Sequence, residues 1–361
     1  MTHDSFQDDT GNWRPTARWE TLQERARLLK AIRHFFDTRG FIEVDTPMLS
    51  ADIVVDRHLD PFPVILSSFP GTAGSLLQIV EHRENREQGS SFSAPSGEKQ
   101  SRRGIFWLQT SPEFAMKRLL AAGASAIYQI CHVFRAGERG PLHNPEFTLV
   151  EWYHVGQGLR EGMVCLAELC QQVLGTPEAE QVSYRDVFQT FTGIDPHRAT
   201  AGQMAMVADL HGVPTPELPE DDLDSWRDIL FSELVQPHLG WQRPTIVYGY
   251  PASQAALARI LPGDPPVAAR FELFIRGLEL ANGYDELTDA DELRQRFQQN
   301  NWWRVRDGKE ALPETSRLEQ AMRQAGLPPC YGCALGFDRL VMLAIGAQAI
   351  DEVIAFPLER A

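Results

Sequence analysis

The sequence predicts an α+β domain in which an antiparallel sheet is flanked by helices. Three observations predict it. Strand-like stretches rich in β-branched and aromatic residues gather around a long hairpin, helical stretches arrive in blocks, and the chain closes on a strand that turns directly into an apolar helix. Strict strand–helix alternation, the mark of a doubly wound parallel sheet, is missing.

Taken in order, residues 1–20 form a polar tail, and one catalytic-sized domain is expected from 21 to 361. Residues 21–38 (TLQERARLLKAIRHFFDT) place Leu22, Leu28, Leu29, Ile32, Phe35 and Phe36 at helical spacing, and Gly40 supplies a stop that tolerates positive φ. An extended stretch follows at 41–47. Residues 84–104 (ENREQGSSFSAPSGEKQSRRG) lack periodicity and predict a mobile surface insertion. Residues 126–135 and 146–155 read as the arms of the hairpin, joined by a segment holding Gly137, Gly140, Pro141 and Pro145. Residues 159–240 read as mostly helical with a loop at 214–222. Strands are expected at 244–250 and 267–280, helices at 290–299 and 314–325, and a strand turning at Gly336 into a helix over 331–346.

The bulk properties bound the function. With 43% hydrophobic and 23% charged residues the chain is globular in composition. No apolar run approaches membrane-spanning length and the first thirty residues carry no signal-peptide pattern, so a cytoplasmic protein without a membrane partner is expected. The five cysteines are scattered, which suits a reducing compartment, and the Cys330/Cys333 pair is expected to be buried thiols rather than half of a zinc site. A net charge of −15 disfavours an extensive nucleic-acid footprint, while ATP needs only a few placed cations.

Three segments carry chemistry. In the second hairpin arm, alternation puts Phe147, Leu149, Glu151 and Tyr153 on one face, and a lone buried Glu151 there is costly unless that face meets a ligand. At the hairpin turn, Arg135, Glu138, Arg139, His143 and Asn144 lie close to that face, offering cations for phosphates and a ring for a base. In FELFIRGLELANGYDEL, Glu272, Glu279 and Glu286 recur at intervals of seven, and hard oxygen ligands suit magnesium. An odd interval puts Glu272 and Glu279 on opposite faces of a straight strand, so a shared role demands a bend or bulge near Gly277.

These segments, with two others, resemble the three signature motifs of class II aminoacyl-tRNA synthetases in the correct order: Gly40–Pro47 is similar to motif 1, Phe134-Arg135 through Phe147 to motif 2, and Gly336-Phe337-Asp338-Arg339 to motif 3. HNPEFT followed by Glu151-Trp152-Tyr153, with Asn282-Gly283-Tyr284-Asp285-Glu286-Leu287, resembles the lysyl-tRNA synthetase active site. Motif 1 begins near residue 40, which leaves no room upstream for the OB-fold that reads an anticodon. Such a core resembles the elongation factor P lysyltransferase family. Ser111 in Thr110-Ser111-Pro112-Glu113 and Ala334 agree with that family, where tRNA synthetases usually carry alanine and glycine.

The resemblance implies a class II catalytic fold with a homodimer formed at motif 1, and ATP and Mg2+ as cofactors. It implies an ATP site of Arg135, Gly137, Glu138, His143, Asn144, Phe147, Glu279, Leu280, Gly336 and Arg339. Arg135 and Arg339 are its catalytic pair, Phe147 stacks on adenine, and magnesium rests on Glu272 and Glu279. The implied amino-acid site is Ser111, Pro112, Glu113, Glu151, Tyr153, Asn282, Tyr284, Glu286 and Ala334. The substrate implied is (R)-β-lysine, the acceptor a lysine of elongation factor P, and tRNA is not a partner. One departure concerns motif 2: the class pattern Arg-x-Glu is here Arg135-Ala136-Gly137-Glu138, so Gly137 stands in the glutamate position. A truncated lysyl-tRNA synthetase still charging tRNA, a non-catalytic regulatory paralogue and an asparagine-type amide synthetase are the competing readings.

Overall fold

The computed structural model describes residues 13–66, 77–78 and 105–361; the predicted insertion at 84–104 and residues 1–12 of the predicted tail lie outside the described residues. Along the chain run α1 (Trp19–Asp37), β1 (Ile42–Glu43), β2 (Leu49–Ser50), β3 (Pro63–Leu66), β4 (Leu77–Gln78), β5 (Ile105–Leu108), α2 (Glu113–Ala121), β6 (Ala126–Phe134), β7 (Glu146–Val155) and α3 (Leu159–Leu174). Then come β8 (Glu180–Ser183), α4 (Tyr184–Thr192), α5 (Ala201–His211), α6 (Leu223–Leu230), β9 (Thr245–Pro251), β10 (Ile260–Leu261), β11 (Val267–Ile275), β12 (Leu278–Asp285), α7 (Ala290–Arg306), α8 (Arg317–Ala325), β13 (Cys330–Gly336) and α9 (Phe337–Ile345).

The main sheet has the order β1-β6-β7-β13-β12-β11-β9-β8, with β10 added beside β11. Its interior is antiparallel, and the two outermost pairings, β1 with β6 and β8 with β9, are parallel. A smaller sheet, β2-β5-β3-β4, stands apart from it. The α+β prediction therefore holds.

The apolar stripe of α1 (Leu28, Ile32, Phe35, Phe36) packs with α3 and α9 on one face of the main sheet, against Tyr128, Val150, Trp152 and Leu335. This follows from alternation: Val150 and Trp152 point toward these helices, so Phe147, Leu149, Glu151 and Tyr153 must point away from them. A second cluster joins α2, α7 and α8, and a third packs α4 to α6 over the β9 end. The site lies on the uncovered middle of the sheet, between the second and third clusters.

Motif 3 is tied into this frame. Asp338 in the first turn of α9 accepts a hydrogen bond from Thr148 N at 2.6 Å and pairs with Arg25 of α1 at 2.5 Å. One buried carboxylate thereby fixes α1, β7 and α9 together, with each of its oxygens satisfied.

The hairpin is as predicted, with register from Ala126 opposite His154 to Phe134 opposite Glu146. The single strand expected at 267–280 is instead two strands. Arg276 (φ 52°) and Gly277 (φ 75°) both adopt positive φ, the signature of a tight hairpin turn between β11 and β12. A bulge also shifts the register between Leu273/Phe274 and their partners. The irregularity demanded by Glu272 and Glu279 is thus present twice. Strand β8 interrupts the block expected to be mostly helical, the extended 41–47 stretch is paired only at Ile42–Glu43, and α7 continues seven residues past its expected end.

Candidate active site

Across the open face, side chains from neighbouring strands line up in rows. Glu151 on β7 faces Ala334 on β13, which faces Asn282 on β12, which faces Glu272 on β11. The adjacent row runs Tyr153, Gly332, Tyr284, Arg270. Strand β13 gives these rows only small residues, Gly332 and Ala334, and its large ones, Tyr331 and Leu335, turn to the core. The sheet is therefore a trough along β13. A Cβ at Gly332 would lie 2.2 Å from Glu286 Oε1 and 2.3 Å from Tyr153 Cε1, so the glycine is what lets Glu286 approach the strand.

The trough opens into a cavity of about 890 Å³. From the sequence-derived set it is lined by Ser111, Glu113, Arg135, Glu138, His143, Asn144, Phe147, Glu151, Tyr153, Glu279, Leu280, Asn282, Tyr284, Glu286, Ala334, Gly336 and Arg339. Pro112, Gly137 and Glu272 are not among its walls. Gly137 instead takes a positive φ (79°) in the turn of the hairpin, and Glu138 reaches the cavity with a carboxylate 3.9 Å from Arg135.

One end of the cavity is anionic. Tyr153 OH donates to Glu151 Oε1 at 2.6 Å and Ser111 Oγ donates to Oε2 at 2.8 Å, while Ser111 Oγ accepts from Glu113 N. Ser111, which begins the turn into α2, thus fixes the carboxylate that the opposite strand supplies. Burial pushes Glu151 up to about 7, the nearby Glu113 adds to the rise, and the two donors oppose it. Asn282 Nδ2 donates to Tyr284 OH at 2.9 Å, and its buried Oδ1 has no partner. An orphaned acceptor beside buried carboxylates fits a cationic ligand that donates hydrogen bonds.

Sequence reasoning missed Lys117 at this end. Its ammonium is buried between Glu113, one helical turn back on α2, and Glu286, whose Oε2 lies 2.5 Å away. The signal was in the sequence as a Glu-x-x-x-Lys spacing. It was hidden because that spacing usually marks an exposed helix face.

The other end is cationic. Arg135 holds its guanidinium 5.0 Å from the Phe147 ring centroid, within cation–π range. Arg339 sits in the first turn of α9, where backbone N–H groups are unpaired by the helix. It donates to Glu279 O at 2.9 Å and lies 2.6 Å from His143 Nε2. Burial and the Arg339 charge hold His143 below its ordinary value. A neutral ring accepting at Nε2 and protonated at Nδ1 satisfies that contact. Asn144 lines the cavity, yet its amide is engaged by Glu146 O and Leu358 N, so it also pins the hairpin to the C-terminal segment.

The two carboxylates expected to hold magnesium differ. Glu279 faces the cavity, with its side chain 41% exposed and 3.9 Å from Arg339. Glu272 is buried, accepts from Tyr250 OH at 2.6 Å and is paired with Arg270. Hard carboxylate oxygens of this kind would fit magnesium, with Glu279 the one that could reach it and Glu272 held back by Tyr250 and Arg270. Sequence reasoning also missed Arg270, which stands beside Tyr284 in the trough, and Arg57, Asp228, Arg296 and Trp303, which line the cavity from a loop, α6 and α7. No local motif announced them because they converge only through the tertiary fold.

A family model for tRNA synthetases class II (D, K and N) matches residues 12–360. A protein of Pasteurella multocida named elongation factor P–(R)-β-lysine ligase is 42% identical over 350 residues, covering 97% of this chain and 98% of its own. A Haemophilus ducreyi protein of the same name is 42% identical over 351 residues, covering 97% of each. With that match running from end to end through the trough, both arginines and the carboxylate cluster, the chain belongs to the class II tRNA synthetase family of the D, K and N type.

Proposed function

We propose that this chain is an ATP-dependent ligase that activates (R)-β-lysine as an adenylate and transfers it to a lysine side chain of elongation factor P. One observation carries the reading: a single cavity joins a phosphate-suited end, with Arg135 and Arg339, to an end with three carboxylates, Glu113, Glu151 and Glu286. A diamino acid laid along it places its carboxylate toward the arginines and its ammonium groups among the acids. The names of the two relatives point to the same substrate and acceptor.

The chemistry needs no protein nucleophile. The amino-acid carboxylate attacks the α-phosphorus in line, the bond to the bridging oxygen breaks, and pyrophosphate leaves. Arg135 and Arg339 balance the charge that builds on the phosphoryl oxygens, and their planar forks stay charged throughout. The acceptor amine, having lost a proton, then attacks the acyl carbon, an amide forms and AMP departs. Glu279, with Glu272 behind it, would hold magnesium, which would supply charge neutralisation at the phosphates. Ser111 and Ala334 are the proposed selectors of the β over the α isomer, since both border Glu151 and a shift of one carbon moves the ammonium group across that row.

A homodimer is proposed at motif 1, where Ile42 (65% exposed), together with Met48 (48% exposed) just past the motif, leaves apolar surface uncovered. No described helix is long and apolar enough to cross a membrane, and all five cysteines are free, which suits the cytoplasm. The net charge of −15 favours a protein acceptor over tRNA. The test is ATP–pyrophosphate exchange with (R)-β-lysine and L-α-lysine in parallel. Preference for the β isomer supports the reading, exchange with L-lysine and charging of tRNA moves the chain to the tRNA synthetases, and no exchange with either refutes ligase activity.

A further inference from the structure

The amino-acid end of the cavity holds a fourth charged group that the reaction does not use. Lys117 lies on α2 with its side chain 2% exposed, and pairs with Glu113 (12% exposed) and Glu286 (1% exposed). It is not among the cavity walls, whereas both of its partners are. Its influence on a ligand is therefore exerted through them and through its field at Glu151, where its charge favours the anion. Glu151, the third acid, receives two neutral donors, the Ser111 and Tyr153 hydroxyls, and no cation at hydrogen-bonding distance among the described residues.

Stability alone does not account for this arrangement. Removing an ammonium and two carboxylates from water costs several kcal/mol per ion, and apolar residues of similar volume are often no worse. The surroundings on α2 offer that alternative, since Phe114, Met116 and Leu120 are all buried there. What a hydrocarbon cannot supply is charge. Fully ionised, Glu113, Glu151 and Glu286 sum to minus three, and Lys117 brings the sum to minus two. That balances the plus two of the two ammonium groups of a diamino acid, whose own carboxylate lies toward Arg135.

We infer that Lys117 is a positioning residue for amino-acid recognition: a built-in ammonium that holds Glu113 and Glu286 in place and sets the three-carboxylate pocket at the charge a diamino acid neutralises. The inference rests on the proposed diamino-acid substrate. Burial already pushes Glu151 up to about 7 and Glu286 up to about 8 in the intact site; without Lys117 the three acids repel one another more strongly, the pocket keeps its proton to a higher pH, and an incoming ammonium must displace it. Burial opposes the charge on Lys117, yet the two carboxylates hold its pKa above the ordinary lysine value, so it stays charged throughout the working range.

The experiment is ATP–pyrophosphate exchange from pH 6 to 9 with (R)-β-lysine and L-α-lysine, on wild type, Lys117→Met, Lys117→Arg and the double variant Lys117→Met/Glu113→Gln. For Lys117→Met the amino-acid KM rises about tenfold or more at pH 7 and recovers toward pH 9, because the proton that competes with substrate leaves at a higher pH. The KM for ATP stays as in wild type. Lys117→Arg keeps the charge and the double variant keeps the sum, so both retain the wild-type pH midpoint even where their KM is altered. A Lys117→Met deficit that is the same at pH 7 and pH 9, or a midpoint displaced upward in Lys117→Arg or in the double variant, overturns the inference. Should Lys117→Met fail to fold, those last two variants decide it alone. Wild type that exchanges with neither isomer refutes the substrate reading itself, a result distinct from any difference among the variants.

Discussion

Under the proposed function, protonation of Glu151 is expected to set the pH at which amino acid binds. Burial pushes its carboxyl up to about 7, and its hydrogen-bond donors among the described residues, Ser111 and Tyr153, are neutral. On that reading the anionic form receives an ammonium group and the neutral form does not. For Glu151 alone, about nine-tenths of sites are anionic at pH 8 and about one-tenth at pH 6, and Glu286, which burial pushes up to about 8 in the same pocket, acts in the same direction, so the amino-acid KM is higher at pH 6 by about tenfold or more. The assay is ATP–pyrophosphate exchange at saturating ATP, with kcat changing less than KM because saturating substrate holds the carboxylate ionised. The sign for stability is separate. This acid has a folded value raised above its ordinary 4.5, so its ionisation penalises the empty folded state above pH 7 and costs nothing below about pH 4. Replacing it by Gln removes a penalty on the order of 3 kcal/mol at pH 8. Glu151→Gln is therefore expected to melt higher than wild type at pH 8 and alike at pH 4, while losing amino-acid affinity and its pH dependence. A wild-type KM that is flat between pH 6 and 8 refutes the reasoning.

Three further substitutions probe other parts of the cavity. Arg339→Ala removes a cation from the phosphate end, so kcat falls by about 10²–10³-fold, and the His143 titration followed by NMR moves up as a neighbouring positive charge disappears. Phe147→Ala removes the ring beneath Arg135, and the KM for ATP rises by about tenfold with the amino-acid KM little changed. Gly332→Ala drives a methyl into Glu286 and Tyr153, so exchange with lysine is lost while ATP binding, measured by calorimetry, persists.

The sheet interior was legible because its signals are local. The arms of the hairpin carry β-branched and aromatic residues over 126–134 and 146–155, and alternation alone places Glu151 and Tyr153 on the open face. The β13–α9 junction was legible for the same reason. Two strands were merged into one at 267–280 because Arg276 is not a usual turn residue, although Gly277 beside it signals a turn. The two-residue β1 and β2 and the short β8 owe their pairing to neighbours distant in sequence, which no local window reports. At the site, residue types exposed the carboxylates but not their partners. That Lys117 lies between Glu113 and Glu286, that Glu272 is taken up by Arg270 and Tyr250, and that Asn144 bonds the C-terminal segment are all consequences of packing.

The measurement that tests the central claim most directly is intact-mass analysis of purified elongation factor P after incubation with this protein, ATP and either (R)-β-lysine or L-α-lysine, followed by peptide mapping. The account predicts an increase of one lysyl residue on a single lysine side chain, formed faster with the β isomer and absent without ATP. An unmodified factor under conditions where pyrophosphate exchange proceeds would contradict it.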